Sequence, residues 1–533
     1  MDEVHEWPDL VSFCSVGDST GDHRLNSSLW YLCLSYRFRQ ASNLFYLTGF
    51  TEPDAALVLE KESGSSRRGY KMTLFVSGRE ELHEAWNGPR TGTDGAVDVF
   101  GADDAIEMDS EGRSLLDYLK DVLPDASKIY HDPALAPTIP RKPSRSAGTS
   151  VGSSSGSSSL LNYLSPGSPS SFDIFSRKTD FDNVVKLLGD SRRCVDLSSA
   201  ILDRHRLVKS PSELRLMRRA GHIAGLAHNS TMRFSNMYRG HDAGASEWAM
   251  QAHFEYTAAL LGASRPAYVP VVAGGERGCT IHYTDNDHLV AGTQEVAGGD
   301  GTTGQLVTMD AGIEYAGYNS DITRAWPVAS GSAGSSGKIS MTSAQLDLYS
   351  ALLRVLKTCS SLAVAQNGYS LSSLHRRSVE LLAAELKDLG FQLSVGELER
   401  VFYPHYLGHY LGLDLHDTPS IARTQPLKPG MVVTIEPGLY IPSEDSVMGK
   451  SLRSRIPKEY RGIGLRVEDD VAIGERDNVV LSVEAVKEVD DVLKVCQGWE
   501  ADHSADAVQG GSRSVLGAEV ERMLARGPQG TGL

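Results

Sequence analysis

The stretch LVTMDAGIEYAGYNSDITRAW, residues 306–326, sets Asp310 and Asp321 between two apolar runs, with Gly312 and Gly317 between them. The flanking runs have the texture of strands, and the glycines are the residues a tight turn uses. A hairpin whose turn centres on Tyr315 and Ala316 would set Asp310 opposite Asp321, on one face and roughly 5 Å apart. Opposed carboxylates repel, and nearby cations would relieve that cost. Either aspartate alone reads as a solvated hairpin acid. Placed jointly, they read as a pair of metal ligands.

Three later segments extend the set. VFYPHYLGHYLGLDLHD, residues 401–417, carries His405, His409 and His416. The alternation through Leu411, Leu413 and Leu415 predicts a strand, with His409 and His416 on opposite faces unless Gly412 marks a bulge. One or two of these histidines at most should therefore be direct ligands. In MVVTIEPGLY, an apolar strand delivers Glu436 to a Pro-Gly turn, and a carboxylate buried there needs a partner. In GIGLRVEDDV, Arg466 and Glu468 share one strand face, as a structural salt bridge or as a metal ligand braced by an arginine. His282, in GCTIHYTD, gains weight only from this company. Asp310, Asp321, His409, Glu436 and Glu468 supply four carboxylates and one imidazole, the donor set of a two-metal hydrolase. Oxygen-rich donors favour a hard divalent ion such as Mn²⁺ over Zn²⁺.

The rest of the chain frames this site. With 533 residues, 41% hydrophobic and 23% charged, it has material for two domains plus loose segments. A formal charge of -16 argues against nucleic-acid and anionic-membrane partners. No apolar run is long enough for a membrane span. Six scattered cysteines without a C-x-x-C pair suit a reducing compartment, and the location expected is cytoplasmic. The first 24 residues are acidic, unlike an Arg-rich transit peptide, and residues 1–34 read as a disordered leader or as an incorrect start. Residues 35–200 read as a small α/β domain. In it, NLFYLTGFTEPDAALVLE, residues 43–60, is expected to form strand, turn and strand. KMTLFVSG is expected to be a further strand, and residues 114–123 a helix. Its Ser-rich stretch 143–171 is expected to be a disordered insertion. A second domain, residues 205–495, opens at Ser210-Pro211-Ser212-Glu213, a capping box for a helix reaching about Phe234. Further helices are expected at 343–365 and at 371–389, the latter stopped by Gly390. Loose loops are expected at 298–304 and 330–337, with a disordered tail over 498–533.

Taken in order, IHYTDN, MDAG, SDITR, HYLGHYLGLDLHD, TIEPGLY and GLRVEDD resemble aminopeptidase P and prolidase, the proline-specific branch of the pita-bread metallopeptidases. YRFRQASNLFYLTGFTEPDAALVL and EAWNGPRTG extend the resemblance to the N-terminal half. The resemblance implies an α/β (α+β) chain, with a creatinase/prolidase-like N-terminal domain and a C-terminal pita-bread domain. It implies two Mn²⁺ per subunit, with Asp310 on one ion, Asp321 and Glu468 bridging, and His409 and Glu436 on the other. His282, His405 and His416 would hold substrate and stabilise the oxyanion, with Arg466 behind the ligands. Tyr440 would line the substrate, and Trp86 would reach a neighbouring subunit's site in a homodimer or homotetramer. Glu436 would shuttle a proton to the leaving proline nitrogen. The implied reaction is release of the N-terminal residue from peptides with proline second, by attack of a hydroxide held between the two ions. Alternatives are a dipeptide-specific prolidase, a mitochondrial presequence-trimming aminopeptidase, and a non-catalytic peptide-binding module. Tyr406 departs from the family, standing where many relatives carry Gly.

Overall fold

Two units divide the chain, Met1–Leu202 and Asp203–Leu533. The computed structural model describes residues 10–15, 37–62, 68–108, 113–132, 183–189, 191–237, 245–290, 305–328, 339–444, 446–452 and 454–498. The Ser-rich stretch, both loose loops, the tail beyond Gly498 and most of the leader lie outside the described residues.

The first unit is built on a six-stranded sheet. From one edge its strands are Asp104–Glu107, Tyr70–Val76, Ala55–Lys61, Leu10–Ser15, Ile129–His131 and Cys194–Asp196. Alternation sorts its core: Leu57 and Leu74 pack on one face, Val58 and Phe75 on the other. The leader expectation fails at Leu10–Ser15, an interior strand antiparallel to Ala55–Lys61 and parallel to Ile129–His131. The acidic flanks hid a short β-prone run whose backbone groups pair only with distant strands. The strand expected at the start of residues 43–60 is also overturned. Ser42–Thr48 is a helix, ended by Gly49 at φ 72, whose N–H bonds the Phe45 carbonyl. A short apolar run does not separate helix from strand, and here Gly49 marked a helix stop. The expected strand at Tyr70–Val76 and the helix Leu115–Val122, capped by Ser114, are present.

In the second unit the Ser210 box opens a helix that runs from Pro211 to Met237, slightly past Phe234. A Cβ at Gly221 would lie 2.3 Å from the Leu481 carbonyl oxygen, so only glycine lets this helix approach that strand end. Helices Ser343–Leu362 and Leu371–Asp388 follow as expected, each with a capping box. Helix Glu247–Leu260 was not anticipated. Among the described residues no helix is long and apolar enough to cross a membrane. Short antiparallel sheets form the interior. One joins Thr323–Val328, Gln305–Asp310 and Val271–Gly274; another joins Val432–Ile435, Asp469–Ile473 and Asn478–Val480. Gly438–Tyr440 pairs with Gly464–Arg466.

Two expectations near the site are corrected here. The hairpin turn centres on Ala316 and Gly317, at φ 50 and 86, so Tyr315 faces Tyr318 and Asp310 faces Thr323 rather than Asp321. Positive φ at both central positions is the pattern of a type I′ turn, and Gly317 meets it without the cost a Cβ would carry. The slip is an even number of residues and leaves Asp310 and Asp321 on one side. Residues 403–417 are an irregular loop, not a strand, with one bridge, Tyr410 to Val433. The loop reverses at Gly412, whose N–H bonds the Asp414 carbonyl while the Asp417 N–H bonds that of Tyr410. His409 and His416 therefore meet, with ring centroids 4.4 Å apart, instead of facing opposite ways.

Candidate active site

Asp310 closes strand Gln305–Asp310, and Asp321 lies just before strand Thr323–Val328. Tyr268 joins the two acids, its hydroxyl bonding Asp310 and lying 2.5 Å from Asp321 Oδ1. The Asp321 N–H is held by the Asp470 carboxylate at 3.1 Å. Glu436 follows strand Val432–Ile435, and its N–H bonds the Leu407 carbonyl, which ties it to the histidine loop.

His409 enters from that loop. With Nδ1–H donating to the Tyr410 carbonyl at 3.0 Å, Nε2 is left as the ligand atom. Nε2 stands 3.3 Å from Asp321 Oδ2 and 3.6 Å from Glu436 Oε1. Asp321, His409 and Glu468 each offer a ligand atom within 4.8 Å of the others. Glu468 accepts from the Thr323 hydroxyl at 2.6 Å, and that hydroxyl accepts from Arg466 Nε at 3.0 Å. Arg466 also pairs with Asp310 and donates to the Tyr440 hydroxyl at 2.6 Å. Both sequence readings of Arg466, ion pair and brace, thus describe one geometry.

The donor set fits divalent cations. Four carboxylates converge on one imidazole and one guanidinium, so the ionised cluster carries excess negative charge. Burial, then Asp321 and Glu436, push Glu468 well above the usual carboxylate range. Burial likewise raises Glu436 to about 7. Burial opposes ionisation of Asp321 too, but His409, Tyr268 and Arg466 together outweigh it and hold Asp321 low. Cations at these oxygens would relieve the repulsion.

The other predicted histidines gather beside these candidate ligands. His405 Nε2 lies 2.9 Å from the Tyr440 hydroxyl, and burial lowers its pKa to about 3, keeping it neutral. His416 is exposed against His409. His282 is exposed. Trp86 is 86% exposed on helix Glu81–Asn87 of the first unit. Sequence reasoning missed Tyr268, Asp470 and Thr323. Thr323, two residues after Asp321, and Asp470, two residues after Glu468, had a positional signal; Tyr268 had none.

This fold and donor set define a metallopeptidase. The model of metallopeptidase family M24 matches residues 215–475, and that of the aminopeptidase P N-terminal domain matches 33–130. The chain belongs to the aminopeptidase P family. It is 34% identical to mouse Xaa-Pro aminopeptidase 3 over 501 residues, 92% of this chain and 84% of that one. It is 36% identical to intermediate cleaving peptidase 55 of Saccharomyces cerevisiae over 477 residues, 87% of this chain and 77% of that one. The crystal structure of yeast Icp55 aligns with TM-score 0.68 at 32% identity, covering 92% and 93% of the two chains. Escherichia coli aminopeptidase P in its low-pH form aligns with TM-score 0.66 at 27% identity, covering 92% and 95%. The chain is an enzyme, a metal-dependent aminopeptidase acting on peptides, and not a non-catalytic binding module.

Proposed function

We propose that the chain is a manganese-dependent Xaa-Pro aminopeptidase with two ions per subunit, which releases the residue before a penultimate proline. The observation that carries this reading is the convergence of Asp310, Asp321, His409, Glu436 and Glu468 beside three accessory histidines. Asp310 would hold one ion, Asp321 and Glu468 both, and His409 and Glu436 the other. When bound, the ions would activate water and stabilise developing negative charge. Arg466 and Tyr268 orient the carboxylates. Glu436 offers Oε1 to His409 and Oε2 towards His405, 3.9 Å from its Nδ1, so it spans the ligand and substrate sides. From there its carboxylate can take a proton and return it to the leaving proline nitrogen, which departs only when protonated. His282, His405, His416 and Tyr440 would hold the peptide.

The test is release of the first residue from Xaa-Pro-Xaa, Xaa-Ala-Xaa and the Xaa-Pro dipeptide, with Mn²⁺ and with chelator. Mn²⁺-dependent cleavage of the proline tripeptide is expected. Cleavage of the dipeptide alone would make the chain a prolidase. Similarity to intermediate cleaving peptidase 55 from yeast and Arabidopsis thaliana supports a second reading, a mitochondrial trimming aminopeptidase, which would cleave Xaa-Ala-Xaa as well. The first reading goes with a cytoplasmic location. A homodimer or homotetramer is proposed, with exposed Trp86 reaching a neighbouring subunit.

A further inference from the structure

The loop bearing His416 is gripped by a segment some two hundred residues earlier in the chain. Arg206 and Lys209 are 4% and 3% exposed, and both reach the Asp417 carboxylate next to His416. Arg206 Nη2 lies 2.5 Å from Asp417 Oδ1 and 2.6 Å from Asp414 Oδ2, and Lys209 Nζ lies 3.0 Å from Asp417 Oδ2. A third grip comes from Asp203, which accepts the Ser420 N–H at 3.0 Å. From the opposite side, Asn319 bonds the carbonyls of Gly412 and Leu413 at 2.9 and 2.8 Å. The loop has little slack: a Cβ at Gly412 would meet Asp417 Oδ2 at 2.5 Å, and Thr418 sits at φ 48.

Buried ion pairs add little net stability, because desolvation offsets attraction, so a stabilising role alone does not account for two buried cations on one carboxylate. We propose that Arg206 and Lys209 are positioning residues which, by holding Asp417, fix His416 in its substrate-facing orientation. The proposal rests on the reading of His416 as a substrate-contacting group.

The test is a double-mutant cycle on the full-length, manganese-loaded protein with Lys209→Met, His416→Ala and both, assayed on the proline tripeptide. Bound metal and hydrogen exchange over residues 411–420 are measured alongside. Lys209→Met is expected to lower kcat about tenfold with metal content unchanged and exchange in the loop accelerated, yet to change kcat less than about twofold in the His416→Ala background. Losses that multiply would overturn the proposal, since the pair would then act independently of His416. An unchanged kcat in His416→Ala alone would instead overturn the reading of His416 itself. Should Lys209→Met not fold, Asp414→Asn replaces it, removing one Arg206 partner that is 41% exposed. The same non-additivity is expected at about threefold, and multiplying losses would again overturn the proposal.

Discussion

Asp321 touches Tyr268, His409 and, through its N–H, Asp470. Asp321→Ala is expected to abolish metal loading and turnover together, checked by elemental analysis beside the peptide assay; normal turnover would sink the two-metal reading. His416→Ala should retain metal and lower kcat by about 10²-fold or more. Tyr268→Phe removes the hydroxyl shared by two carboxylates and should weaken metal affinity about 10-fold to 100-fold in a competition titration. The candidate ligands were legible because each is an acid or histidine set in a short, largely apolar segment rather than in a charge run. Tyr268 was not, because its partners lie 42 and 53 residues downstream and only folding brings them to it.

Elements set the directions of the candidate ligands through close backbone approach. A Cβ at Gly408 would lie 1.9 Å from the Thr434 carbonyl oxygen, and one at Gly312 would lie 1.8 Å from that of Ser320. Neither clash is with a side chain that could turn away. Gly408→Ala and Gly312→Ala should each cost about 3 kcal/mol or more, read as a lowered urea midpoint. A midpoint within error of the parent would refute the close approach. The helices with capping signals were legible because those signals are local. The histidine loop read as a strand because its leucines alternate, although Gly408 and Gly412 bend it against Thr434 and Asp417.

Across the second unit, Glu484 ties helix Pro211–Met237 to the chain after strand Asn478–Val480 through Arg218 and His222. Burial raises its pKa, but the bonds from His222 and Arg218 outweigh burial and hold it down to about 2. A depressed carboxylate stabilises the fold above its unfolded pKa and loses that contribution as pH falls through its folded value. Stability should therefore drop between about pH 4.5 and pH 2, by up to about 3 kcal/mol, and Glu484→Gln should flatten that acid limb in denaturation measured against pH. The sequence by itself determined the α/β class, the candidate ligand residues and the helices that announce their own caps, because these depend on residue chemistry and near-neighbour spacing. Only the tertiary structure decided the hairpin register, the meeting of His409 with His416, and the grip of Arg206 and Lys209 on Asp417. Each of these depends on positive φ, missing Cβ atoms or charges far apart in the chain, and their energies exist only once the backbone has closed around them.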